Sequence, residues 1–587
     1  GLKTLTLLKD CLGLVEREHG VQVNLDTLAL DDPETYALFC RAHTSGVFQF
    51  ESSGMRDILR KLQPDRFEDL VALNALYRPG PIKSGMIDEY IRGRHGKSAS
   101  HPFPRLREIL DETYGVIVYQ EQVMRIASVL AGFSLGQADL LRRAMGKKKQ
   151  KEMDAMQDVF VQGAKQRGVP GKEAQKIFEL MATFAGYGFN KSHSAAYALV
   201  AYQTAYLKAR FPVEFMAALL TVEKEVTDNV VKYIAECREM GIAVLPPDLN
   251  RSLLDFSVEG KAIRFGMGAI KNVGDGAIET LLEVRARVGS FTSLEQLCHE
   301  VDSRSLNRKA LESLVKSGAL DGWNLPRSAL IGALEGALSG AQKASRDRAA
   351  GQANLFGGEP GETTAPLPAS IPADAWSPRE RLSFEKETLG FYLSGHPLGE
   401  HAAALAALGG PAIRALLPEQ AGKSLALGGL VTLLKKRKTR KGDWMASFAL
   451  EDHDGSVEVI VFPELYRSVG ERLAEDQAIA VRGKAELEDG RWRIVAEEIQ
   501  PLEGTAERRA SRLVLQVKPA DLGGTRPAEI QRILRDHPGS CPVDIHLSQP
   551  GAYRLTMRPG PAVRVGPNPA LTRALEDLLG KGTVRYR

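Results

Sequence analysis

The hydrophobic pattern of this chain changes period near residue 425, and that change sets its architecture. Upstream, segments such as Phe67–Leu76, Gln120–Leu130, Gln137–Met145, Lys172–Phe184 and Ala195–Leu207 carry apolar residues at i, i+3 and i+4, the spacing of helices that bury one face. From Pro246 to about Trp323 the helices shorten and glycine turns punctuate them. From Leu425 to about Leu502 the pattern becomes alternating, in Leu425–Leu433, Met445–Glu451, Val457–Phe462, Ala478–Leu487 and Trp492–Ile499, with turns such as Asp454-Gly455 and Asp489-Gly490 between them. That predicts five strands. Residues 341–380 separate the two regimes. They are rich in Gly, Ala, Pro and Ser, with prolines at 360, 366, 368, 372 and 378, the composition of a flexible linker. After a polar stretch at 503–511, strands Leu513–Val517, Val543–Leu547 and Tyr553–Met557 alternate with helices Pro527–Asp536 and Pro569–Leu579, a small α+β module. A chain of 587 residues exceeds one core, and roughly three to five domains are expected.

Bulk charge selects no partner, because 77 basic side chains face 73 acidic ones and leave a net charge of +4; clusters must do so. Cys11, Cys40, Cys237, Cys298 and Cys541 are far apart, so neither a disulfide framework nor a cysteine metal site is expected, and a reducing cytoplasm is the expected setting. The most apolar run, Ala195–Leu207, contains Gln203 and Thr204 and is too short and too polar to span a bilayer. No stretch reads as a secretory leader.

Four features carry chemistry. In the block Tyr187-Gly-Phe-Asn-Lys-Ser-His-Ser-Ala-Ala-Tyr197, glycines lead into Lys191, Ser192 and His193 and then a helix, with Ser192 or Ser194 as N-cap and a break at Pro212. A helix start with a lysine and hydroxyls suits phosphate; an ordinary capped core helix is the alternative. The run from Arg142 to Lys151 holds Arg142, Arg143, Lys147, Lys148, Lys149 and Lys151. Such a cluster repels itself unless a polyanion lies alongside, or it is a solvated helix end. In Gly268–Leu282, a helix is expected to end, Val273-Gly-Asp-Gly276 to turn, and a second helix to start. This resembles a helix-hairpin-helix, whose hairpin N–H groups can hold a DNA phosphate without reading sequence, with Lys271, Gly274 and Gly276 expected at the contact; a plain helix corner is the alternative. A related unit, Asn307–Trp323, lacks the glycine turn. Finally, Lys435, Lys436, Arg437, Lys438, Arg440 and Lys441 precede Trp444 and are expected in the loop joining the first two strands. A five-stranded barrel with a basic first loop and an adjacent aromatic is similar to an OB-fold that binds single strands by charge and stacking; a structural hairpin tip is the alternative.

Inside the linker sits Gln352-Ala-Asn-Leu-Phe356. Leu355 and Phe356 are large apolar groups in a segment that should be solvated. They must be buried by a partner or by the linker folding back. The pentapeptide resembles the clamp-binding motif of bacterial replication proteins, with Leu355 and Phe356 as anchors and Gln352 fixing the register.

Taken together, the chain resembles the C-terminal half of the family C replicative polymerases, the bacterial DNA polymerase III alpha subunits. The matching stretches are Thr44-Ser-Gly-Val-Phe-Gln-Phe-Glu-Ser-Ser-Gly-Met55, Ala75–Pro81, Val118–Met124, Leu141–Lys148, the Tyr187–Tyr197 block, Gln352–Phe356 and Glu385–Pro397. The resemblance implies a multidomain chain of mainly α fingers and helix-hairpin-helix region, then an OB-fold barrel and a small α+β C-terminal domain. Residues 1–45 would end the palm. Residues 46–245 would be fingers, 246–345 a tandem helix-hairpin-helix and clamp-binding domain, 346–380 the linker with its motif, and 381–424 connecting helices. Residues 425–503 would be the OB-fold and 504–587 the clamp-loader-binding domain. Arg78, Arg142, Arg143, Lys191, Ser192 and His193 would then meet the triphosphate of the incoming dNTP or the template backbone, since phosphoryl transfer rests on positioning and charge neutralisation. Lys147, Lys148 and Lys149 would meet DNA. Implied partners are primed DNA, dNTP, the sliding clamp, the clamp-loader tau subunit and a proofreading exonuclease subunit.

The resemblance also implies an absence. In the family, palm aspartates hold two Mg²⁺ ions, and the last of them lies just before a stretch like Gly1-Leu-Lys-Thr-Leu-Thr6. They are expected upstream, so these 587 residues are expected not to polymerise DNA alone. Asp452-His453-Asp454 is the sole Asp-x-Asp and reads as turn chemistry. A non-catalytic module tethering DNA and clamp is the alternative from a different class. A repair-type paralogue fits less well, because such proteins often lack the clamp motif.

Overall fold

The computed structural model describes residues 2–96, 103–146, 150–185, 188–301, 306–349, 376–439, 441–453, 455–488, 491–549, 553–560 and 563–586. It forms two compact units, Gly1–Ser377 with Phe384–Phe391, and Pro378–Ser383 with Tyr392–Arg587.

The first unit is helical, and two of its hydrophobic cores frame the site. One gathers Phe39, Phe50, Leu70, Tyr90 and Tyr202 beneath the helix Lys191–Arg210, which packs on Phe67–Leu76 and Pro33–Cys40. The other gathers Ile126, Leu141, Phe160, Phe178 and Met181 among the helices Gln120–Ala131, Leu135–Gly146, Gln150–Gln166 and Gly171–Ala185. The predicted break at Pro212 is present: one helix ends at Arg210 and the next, Pro212–Val222, starts on the proline. There its missing N–H costs nothing. A three-stranded sheet, Ala243–Leu245, Ser257–Glu259 and Ala262–Arg264, follows. The third strand lies between the other two, parallel to the first. Its three-residue strands leave no readable alternation, and the sequence gives no warning of them. The helices Asp275–Val288, Leu294–Glu300, Arg308–Lys316 and Arg327–Ala349 complete the unit. Residues 341–349, which composition places in the flexible segment, instead continue the last helix. Ala, Gln, Lys and Arg are good helix formers, so propensity outweighs the small-residue bias. No helix among the described residues is long and apolar enough to cross a membrane.

The second unit holds a closed barrel of five strands, Ser424–Lys438, Trp444–Glu451, Ser456–Val461, Ala478–Glu488 and Arg491–Pro501, closing in the order first, second, third, fifth, fourth. Ala446, Phe448 and Leu450 alternate into its core with Val457, Val459 and Val461. The tail sheet runs Tyr553–Met557, Pro538–Gln549, Leu513–Val517, Val584–Tyr586. Leu534, Leu571 and Leu575 cover it from the helices Arg526–Asp536 and Pro569–Leu579.

Candidate nucleotide and nucleic-acid interface

A single backbone bridge assembles the first site. Phe189 donates its N–H to Val118 O at 3.1 Å, and Gln120 donates to Phe189 O at 3.0 Å. The helices Gln120–Ala131 and Lys191–Arg210 therefore begin side by side, although 70 residues separate their starts in sequence. Four predicted residues converge on this bridge. Arg78 lies 4.5 Å over the Phe189 ring and donates its Nε–H to Ala75 O at 2.8 Å. Arg142 donates to Gln120 Oε1 at 3.0 Å and to Asp139 at 2.9 Å. Lys191 Nζ sits 5.5 Å from the Tyr119 ring centre. The His193 ring stands between Phe189, at 5.5 Å, and Tyr197, at 4.6 Å. Arg143 reaches the group through Asp139, which it meets at 2.8 Å, and Ser192 is exposed on the first turn beside them. Burial lowers the Arg78 pKa from its ordinary value, yet a guanidinium starts so high that it stays charged.

The helix start differs from expectation. Its N-cap is Asn190, whose Oδ1 accepts from the His193 N–H at 2.8 Å, so neither Ser192 nor Ser194 caps it. Ser194 is buried and donates instead to Val71 O at 2.6 Å. Asn190 directly precedes the helix and its side chain reaches forward to the N–H three residues on, while Ser194 points into the core. The start is also not an open phosphate cradle. The Glu121 carboxylate accepts from the Lys191 N–H at 3.1 Å and from Asn190 Nδ2 at 2.9 Å. Glu112 accepts from Lys191 Nζ at 2.7 Å. Two carboxylates thus occupy positions that suit an anion at a helix N-terminus, so any further anion would have to displace them. Reading cations alone missed both groups, because each comes from a distant segment. The acid in Val118-Tyr-Gln-Glu-Gln-Val-Met124 was the one available hint.

The helix-hairpin-helix region also departs from expectation. Before the turn there is only the 3₁₀ turn Met267–Ala269, not a helix, because Gly266 and Gly268 pack against the backbone of Leu254 and Asp255 and the chain must bend there. The second helix, Asp275–Val288, starts from Gly274. A Cβ on Gly274 or Gly276 would meet open space, so both flank an approachable helix start. The Lys271 N–H donates to Thr388 O at 2.9 Å while its side chain is exposed. Asn272 donates to Ser313 at 3.3 Å, tying this unit to the helix Arg308–Lys316.

In the barrel, Lys435, Lys436, Arg437 and Lys438 are not in a loop. They extend the first strand, paired with Ser447, Ala446, Met445 and Trp444. A bulge between Thr432 and Lys435, with Leu433 at φ 52°, shifts the register, and alternation that ends on polar residues hid the continuation. Lys436 and Lys438 share one face and Lys435 and Arg437 the other. Lys438 Nζ lies 5.1 Å over Trp444, which is half-exposed, and Lys441 is exposed in the turn beyond. Lys147, Lys148, Lys149, Arg440, Gln352, Leu355 and Phe356 lie outside the described residues.

The donor sets do not fit a metal ion. Among the described residues no three His, Cys, Asp or Glu side chains are grouped to hold one. The Asp452 carboxylate accepts from the N–H groups of Ile413 at 2.7 Å and Gly455 at 2.8 Å, which is the turn role expected of it.

Comparison with known proteins finds three family matches along the chain. Residues 4–168 match the bacterial DNA polymerase III alpha subunit finger domain, 241–330 a helix-hairpin-helix motif, and 426–502 an OB-fold nucleic acid binding domain. The chain is 40% identical to the DNA polymerase III subunit alpha of Pseudomonas aeruginosa, over all of its own length and 52% of that protein. It is 44% identical to that of Thermus aquaticus, over 96% of itself and 46% of the relative. The Escherichia coli K12 protein is 38% identical, over 100% and 52%. The chain spans about half the length of the curated relatives it matches.

Proposed function

We propose, from the premise that the chain belongs to the bacterial DNA polymerase III alpha-subunit family, that it positions the incoming dNTP and the primed template for nucleotidyl transfer to a primer 3′ end. The chemistry itself falls to a palm that this chain serves. The observation that carries this reading is the convergence of Arg78, Arg142, Lys191 and His193 on the Tyr119–Phe189 bridge. Cations backed by aromatic faces, beside a helix start, can grip a triphosphate from several directions at once. Glu112 and Glu121 hold Lys191 in place until phosphate replaces them. Lys271, Gly274 and Gly276 then contact duplex backbone, and the basic strand with Trp444 contacts single-stranded template. The tail is assigned to the clamp loader's tau subunit, and a proofreading exonuclease is a further partner of the assembly.

Lys191→Ala tests the site. In primer extension by a polymerase carrying this chain, the KM for dNTP is expected to rise about 10- to 100-fold, the worth of a charge-assisted hydrogen bond. A KM unchanged beside an unchanged melting curve removes Lys191 from the site. The clamp assignment has its own test. Phe356→Ala is expected to weaken binding to the sliding clamp by about 1–3 kcal/mol, as for an interface anchor. Equal affinity in a direct binding titration would discard the motif.

A further inference from the structure

One wholly buried ionisable group of the first unit plays no part in the site as described so far. The Asp69 carboxylate is wholly buried. Its Oδ1 accepts from Tyr90 OH at 3.0 Å, Tyr114 OH at 3.2 Å and Arg66 Nε at 3.3 Å, and Arg94 Nε lies 3.2 Å from Oδ2. A buried carboxylate is retained only where it is paired and hydrogen-bonded in this way. Two of its partners hold one short turn, Asp111–Gly115. Tyr114 belongs to that turn and is itself in the left-handed region, φ 53°, a conformation unfavourable for a bulky residue. Arg66 donates its Nη2–H to Glu112 O at 2.9 Å and stacks 4.7 Å over the Tyr114 ring. From above, Gly93 closes on the turn so tightly that a Cβ there would lie 2.6 Å from Tyr114 Cβ. The residue displayed by the turn is Glu112, the acid that receives Lys191 Nζ at 2.7 Å.

We propose that Asp69 is a positioning residue for the nucleotide site: through Tyr114 and Arg66 it fixes the turn that carries Glu112, and Glu112 fixes the Lys191 ammonium. This rests on the nucleotide reading for its purpose but not for its test. Tyr90 and Tyr114 each give one hydroxyl to the same Asp69 oxygen, Tyr90 wholly buried and Tyr114 partly so, and only Tyr114 is on the Glu112 turn. Tyr90→Phe is therefore expected to cost at least as much stability as Tyr114→Phe, while only Tyr114→Phe loosens Glu112.

The experiment is trace acetylation of the full chain with acetic anhydride, reading Lys191 by mass spectrometry against Lys172. Lys191 is partly exposed and so open to the reagent. Glu112→Gln and Tyr114→Phe are each expected to speed its modification by about fivefold, the ratio one lost hydrogen bond supports, and Tyr90→Phe by less than about twofold. Equal acceleration in the two tyrosine variants would reduce Asp69 to general stability and overturn the proposal, as would an unchanged rate in Glu112→Gln or Tyr114→Phe. If Lys191→Ala leaves the dNTP KM unchanged while the labelling pattern holds, the nucleotide reading fails and the coupling stands.

Discussion

Replacing Lys208 by alanine is expected to destabilise the first unit by about 3–5 kcal/mol, the largest effect of a single substitution expected outside the hydrophobic cores. The Lys208 ammonium is almost wholly buried, yet it donates to His43 O and Ser45 O at 2.9 Å each and to Glu236 Oε1 at 2.6 Å. Ser45 in turn donates to Glu236 at 2.6 Å and accepts from Arg56 at 2.6 Å. This cluster underpins the loop that opens the Thr44–Met55 block, where Gly46 and Gln49 both take positive φ. Without the ammonium, two carbonyl oxygens and one oxygen of the Glu236 carboxylate lose their donor in a poorly solvated place.

The same cluster sets a pH signature. Burial works to raise the Glu236 pKa, but attraction to Lys208 and the hydrogen bonds from Lys208 and Ser45 outweigh it and hold the carboxyl below its ordinary value. A carboxyl depressed in the folded state adds stability above the ordinary glutamate pKa and loses it as pH falls through the folded one. The deficit of Lys208→Ala against the native chain should therefore be largest near neutrality and shrink on acidification, where Glu236 accepts a proton. Urea titrations at a series of pH values read this directly. A deficit below about 1 kcal/mol at neutral pH, or one that grows in acid, contradicts the account.

The second large effect lies in the barrel. Serine in place of Lys435, Lys436, Arg437, Lys438 and Lys441 is expected to flatten the salt dependence of single-strand binding by about 1–2 units of log–log slope, from about 0.7 per neutralised phosphate. These cations are exposed. Their pairing in the strand keeps them on an extended arm rather than a floppy tip, and because they alternate between its two faces, only those of one face and the turn engage one strand at once. Fluorescence anisotropy with a labelled oligonucleotide at several salt concentrations reads the slope. An unaltered slope returns the arm to a structural hairpin.

What was legible in the sequence follows from how local each signal is. The helix Phe67–Leu76 ends where its apolar period ends, and Pro212 breaks the chain where its ring must. The barrel strands appear because alternation on Ala446, Phe448 and Leu450 reports one buried face. The first barrel strand was cut short because Lys and Arg carry no alternation and a bulge intervenes. Among site residues, the cations were legible by type and by the motifs around them, as in Arg78-Pro-Gly-Pro81 and Gly188-Phe-Asn-Lys191. Their counter-charges were not. Glu112 and Glu121 meet Lys191 from 79 and 70 residues away, Lys208 finds Glu236 on a different helix, and Asp69 is an unremarkable acid until Tyr90 and Tyr114 surround it. Long-range pairing of this kind is fixed by tertiary packing, which a single sequence does not display.

The central claim, that the cations around the Tyr119–Phe189 bridge receive a nucleotide triphosphate, is tested most directly by photolabelling. A dNTP bearing a photoreactive group on its γ-phosphate would be irradiated with the polymerase assembled on primed template, and the adducts mapped by peptide mass spectrometry. The account predicts adducts in the peptides spanning residues 119–121, 139–143 and 189–197, suppressed by excess natural dNTP and lost in Lys191→Ala. Competable adducts that map elsewhere in the chain, with none in those three peptides, would contradict it.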